Sequence, residues 1–145
     1  MSPNFKFNMK QILFLFSIIA IFSLTLSCNK SAGQGGTSII KGKVYVQNYN
    51  VSGTAITAEY FGQDVDVYII YSADGTYFND KIATSYDGSF EFPFLAKGKY
   101  QIFVYSKCFI TAQNPCPSGQ ETVLVSTEIT KNKSTIDVGT ITIKD

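Results

Sequence analysis

From Ile39 to the C terminus, apolar residues return at every second position, and this limits the chain more than any other feature. Ile40, Gly42, Val44 and Val46 alternate with Lys41, Lys43 and Tyr45. Val65, Val67, Ile69 and Tyr71 alternate with Asp66, Tyr68 and Ile70. Phe90, Phe92 and Phe94 alternate with Ser89, Glu91 and Pro93, and Tyr100, Ile102 and Val104 with Gln101, Phe103 and Tyr105. Successive strand side chains point to opposite faces, so a period of two marks a strand with one face on a core. Shorter strands are expected at Thr54–Tyr60 and Lys81–Ser85, and further strands at Glu121–Ile129 and through Ile136, Val138, Ile141 and Ile143. Gly139 falls where the last alternation slips by one, which predicts a bulge. Asp74-Gly75, Asp87-Gly88 and Lys97-Gly98 supply turns, and Asp87-Gly88 is a strong two-residue hairpin signal. No stretch after residue 38 keeps a helical period. The expectation is an all-β fold: a seven- to eight-stranded antiparallel Greek-key sandwich over residues 39–145.

The segment before this domain has a different character. Residues 1–10 carry Lys6 and Lys10 and no acid, and Ile12 to Leu26 is then apolar apart from Ser and Thr. This run is shorter than the roughly 20 residues a bilayer-spanning helix needs. A positive start and a short apolar run together form a secretory signal. The run closes on Leu24-Thr25-Leu26-Ser27-Cys28, which resembles the lipobox of bacterial lipoproteins, with Thr25 where leucine is commonest. The resemblance implies a signal peptide at 1–27, cleavage before Cys28, and lipid on that cysteine. It implies attachment to a membrane through the anchor and a place in the cell envelope, at the outer membrane. The competing readings are an uncleaved anchor and cleavage without lipid. Residues 28–38, rich in Gly and Ser, read as a flexible tether.

Thr84 to Phe92, Leu95 and Gly98-Lys99-Tyr100-Gln101-Ile102 resemble the carboxypeptidase regulatory-like domains, in which a D-G turn, an aromatic strand, a leucine and G-x-Y recur in that order. Ile40 to Val44 and Asp137 to Ile141 fit the same pattern. The resemblance implies a transthyretin-like sandwich with Tyr100 facing inward. It implies no activity, because such domains are accessory modules of many proteins.

Composition narrows function by what is missing. The chain has no His, and its twelve basic residues are all Lys. Triad chemistry, His-ligated metal sites and bidentate phosphate clamps lose their usual parts. Beyond the leader, ten lysines stand against eleven acids, so no basic field exists to hold a nucleic acid. The expectation is a protein that is not an enzyme and uses no cofactor.

Four groups of residues are candidates for chemistry or contact. Cys108 and Cys116 flank one loop and should pair in an oxidising compartment, either as a staple or to stiffen a recognition loop. Asp64 and Asp66 should share a strand face, with too few neighbouring acids for a calcium site. Lys41, Lys43 and Asp137 fall on polar phases, which argues against a covalent cross-link in the core. Tyr68 and Ile70 on one strand, and Phe103 and Tyr105 on another, lie on the outward phase and mark a possible partner surface. Alternatively, residues 48–62 cover them, or they only reflect strand propensity. Two functions follow: a membrane-tethered interaction or structural module of the envelope that meets a protein or glycan, or a carbohydrate-binding accessory of a polysaccharide uptake system. An exposed tyrosine platform would favour the second, and a broad apolar patch the first.

Overall fold

The computed structural model describes residues 31–109 and 116–145. Eight strands form in chain order: β1 Gln34–Tyr49, β2 Ile56–Phe61, β3 Asp66–Ile70, β4 Asp80–Ala83, β5 Ser89–Leu95, β6 Gly98–Lys107, β7 Gln120–Ile129 and β8 Thr135–Lys144. They build two four-stranded sheets. In the first, β1 is central, with β8 along one edge and β5 and β2 sharing the other. The second runs β4-β3-β6-β7. The strands pair antiparallel except β1 and β8, which run parallel.

The inward phase read from the alternation is the core. Ile40, Val44, Val67, Ile69, Phe90, Phe92, Tyr100, Ile102 and Val104 are all buried between the sheets. Gly42 sits on the same phase because nothing larger fits: a Cβ there would press into the Phe90 ring and the Val138 side chain. The slip at Gly139 is also present. Lys41 pairs with Asp137 but Lys43 with Thr140, so β8 carries one extra residue there, and Gly139 takes a φ of 77°.

Three local expectations change. Asp87-Gly88 does make a tight turn, with Gly88 N–H donating to Ser85 O at 2.9 Å. The turn does not join two strands of one ladder, because β4 pairs with β3 while β5 pairs with β1. It hands the chain from one sheet to the other. At Phe94 the alternation breaks: φ is 59°, the ring is 69% exposed, and Leu95 takes the inward place.

The third change concerns the stretch expected to be a tether. Residues 34–38 belong to β1, so the folded part begins before residue 39. The glycines there serve close packing. A side chain at Gly36 would collide with the carbonyl of Leu95. Gly33 O accepts from Ala96 N–H at 2.9 Å, and Gly33 N–H donates to the Tyr100 hydroxyl at 3.0 Å. Composition alone cannot separate glycine used for flexibility from glycine used for close approach.

Candidate binding face

The outward phases of β3 and β6 meet on the second sheet. Tyr68 pairs in register with Phe103 on one side and with Lys81 on the other, and Phe103 pairs with Leu124 across β7. Directly opposed residues share a face, so these side chains form one row across the sheet. The Tyr68 and Phe103 rings stack, with centroids 4.9 Å apart and planes within 9°. Tyr105 stands edge-on to both, at 5.4 Å from Tyr68 and 5.5 Å from Phe103. Phe78, from the β3–β4 connection, closes the other flank of Tyr68 at 4.9 Å.

Charge sits against the rings. The Lys81 ammonium lies 2.7 Å from Asp66 Oδ2 and 5.9 Å from the centre of the Tyr68 ring. The Tyr68 hydroxyl donates to Asp66 at 3.3 Å. The Lys81 hydrogen bond holds the Asp66 carboxyl below the usual carboxylate range, and the same bond raises Lys81. Burial, followed by the charge of Asp66, pushes the Tyr68 phenol up. At neutral pH the face therefore presents the Asp66 carboxylate, the Lys81 ammonium and the protonated Tyr68 phenol, itself one of the four clustered rings.

The structure brings together three of the four residues expected here, but exposes them unequally. Tyr105 is 45% exposed and Tyr68 half-buried, while Phe103 is 7% and Ile70 6% exposed. Phe103 is therefore a support for the rings stacked around it, not a free contact. Ile70 is not a contact residue: Gly75 packs onto it, and Gln101 Nε2 donates to Ala73 O, tying that loop to the sheet. Residues 48–62 do not cover the face, since β2 joins β1 in the opposite sheet. Phe78 and Leu124 add exposed apolar surface, at 50% and 49%. Neither was visible as part of this face in the sequence. Phe78 lies in a turn segment with no alternation, and the outward phase of Leu124 means nothing until β7 is known to lie beside β6.

The remaining candidates separate. Cys108 and Cys116 are joined in a disulfide, with Cα atoms 6.2 Å apart and both residues buried. Asp64 does not share a strand face with Asp66: β3 starts at Asp66, and Asp64 takes a φ of 56° in the preceding turn. Lys41 lies 4.0 Å from Asp137 and Lys43 2.9 Å from Asp87, all on the outer side of the first sheet. Lys41, Lys43, Glu91 and Asp137 line a concavity of about 570 Å³, where Lys41 faces Asp137 and Lys43 is drawn to Asp87 beside it. Cys28 and the signal segment lie outside the described residues.

No protein-family model matches the chain, and no curated protein does. Among solved structures it is similar to a candidate carbohydrate-binding protein from Pseudomonas aeruginosa, with 20% identity, a TM-score of 0.40, and coverage of 79% of this chain and 92% of that one. It is also similar to (S)-allantoin synthase, at 11% identity and a TM-score of 0.40, covering 75% of this chain and 42% of that enzyme. The chain thus spans less than half of the synthase. Likeness at this distance carries no ligand or activity across.

Proposed function

We propose that this protein is a lipid-tethered, non-enzymatic binding module of the cell envelope, held at the outer membrane through Cys28, and that the outer face of the β4-β3-β6-β7 sheet takes a glycan. One observation supports the ligand class above the others. Tyr68, Phe78, Phe103 and Tyr105 make a small ring cluster in which the Tyr68 hydroxyl donates to the Asp66 carboxylate and the Lys81 ammonium lies 5.9 Å from the centre of the Tyr68 ring. A sugar offers C–H faces that pack on rings and hydroxyls that need both donors and acceptors beside them. Tyrosine supplies an apolar body with a polar tip, and charged groups make the stronger hydrogen bonds. A protein partner would ask for a wider dry patch, since specific protein interfaces bury about 800 Å² on each side.

Screening the purified protein against immobilised bacterial and plant polysaccharides tests this reading. The expected result is capture of at least one glycan, weakened about tenfold by Tyr105→Ala or Phe78→Ala, the loss of a contact worth about 1.4 kcal/mol. Capture that both variants leave unchanged would remove this face from the function. Failure to retain any glycan, with a protein partner lost in the same variants, would favour the interaction-module reading.

A further inference from the structure

The sandwich has two ends, and they differ. At one end lie the start of β1, the β3–β4 loop, the β5–β6 turn and the β7–β8 turn, as the strand registers require. At the other lie the β1–β2 loop, the β4–β5 turn, the Cys108–Cys116 disulfide and the C terminus. The chain enters at the first end and is fixed there almost at once. Ala32 packs against the core, and Gly33 is held by Ala96 and by the buried Tyr100 hydroxyl. Only Asn29, Lys30 and Ser31 separate Ala32 from Cys28. Four Cα–Cα steps span at most about 14 Å, less than half the thickness of a bilayer's hydrocarbon core.

We infer that this end of the domain rests on the lipid headgroup surface, with Phe94 as an interfacial anchor. The inference rests on the reading that Cys28 carries lipid. A lipid on Cys28 leaves too little chain for the domain to stand away from the bilayer or to turn its far end toward it. The surface of this end fits that position. Phe94 projects from a left-handed backbone conformation beside Gln34 and Gly35, where β1 begins. A phenylalanine held outward at a φ of 59° is strained and gains nothing from the core, which is the kind of outlier that points to a contact outside the domain. Tyr77, in the loop at the same end, is 85% exposed.

Charge distinguishes the ends as well. Lys97, Lys131 and Lys133 stand on the turns of the tether end, with no ion pair among the described residues. Lys99 faces Glu128 across β6 and β7, so those two offset each other, and Asp74 in the β3–β4 loop and Asp80 at the start of β4 are the acids there, which leaves three lysines against two acids. At the far end Lys107 and Lys144 are paired with Asp145 and Glu121. Unpaired lysines at the tether end suit a negatively charged leaflet. The orientation leaves the Cys108–Cys116 disulfide at the end away from the membrane and the aromatic face on the flank, open to solution.

The test uses the full mature lipoprotein in vesicles of phosphatidylethanolamine and phosphatidylglycerol. A fluorophore is placed at Lys97→Cys or, at the far end, at Val51→Cys, with a quencher fixed to the lipid headgroups. Mass spectrometry of the N-terminal peptide reports the lipid in the same sample. The expected result is quenching several-fold stronger at position 97 than at position 51, reduced when Phe94→Ser is added. Equal quenching at both positions with lipid present overturns the orientation. Equal quenching with and without Phe94→Ser overturns the role of Phe94. An N-terminal peptide without lipid overturns the anchoring reading and the orientation with it.

Discussion

The Tyr100 hydroxyl shows how one atom can close a domain. It accepts from Gly33 N–H at 3.0 Å and donates to Ala96 O at 2.6 Å, while its ring lies 1% exposed in the core. Removing the oxygen leaves a backbone donor and acceptor without this partner in a largely dry site. Tyr100→Phe should therefore cost about 1–3 kcal/mol. The change would be read as a lower urea midpoint with an unchanged slope, and an unaltered midpoint would show that the latch is worth nothing. The inward direction of Tyr100 was legible from the alternation and from the G-x-Y resemblance. Its partner was not, because Gly33 lies 67 positions away in a stretch with the composition of a linker. The outward group divides in the same way. Tyr105 is legible as a surface ring, whereas the burial of Ile70 depends on a loop that no period describes.

At the scale of elements, strands were easier to read than their neighbours. Apolar phase identifies a strand because each inward residue must be buried. It says nothing of which strand lies beside it, since any pair of half-buried strands satisfies the same pattern. Asp87-Gly88 shows the consequence: the turn forms as its residues require, yet it joins strands of different sheets. The candidate face was partly legible for the same reason. Two outward aromatic rows could be written down, but their contact through Tyr68 and Phe103 is a property of sheet order. The disulfide is a separate element, joining the chain after β6 to the chain before β7 at the end opposite the start of β1. Replacing both Cys108 and Cys116 with Ser should lower stability by about 2.5 kcal/mol, the closure entropy of a nine-residue loop. Calorimetry should show that loss with glycan affinity unchanged, because β3 and β6 hold the ring cluster. A parallel loss of affinity would make the loop part of the binding site.

For the whole molecule, the sheets divide the work. The first sheet, built around β1, receives the incoming chain and the C-terminal strand, and its lysines Lys41 and Lys43 are paired with Asp137 and Asp87. The second sheet carries an outer face with more rings than a core requires. That face is the proposed place of contact, and the end where β1 begins is the one proposed to face the membrane. The most direct measurement is amide chemical-shift mapping of the mature domain during titration with the glycan it retains best. The account predicts progressive shifts confined to residues 66–68, 78–81 and 103–105 and their neighbours on β7. Shifts gathered instead around Lys41, Lys43 and Asp137, or around the disulfide loop, with Tyr68 and Tyr105 unmoved, would contradict it.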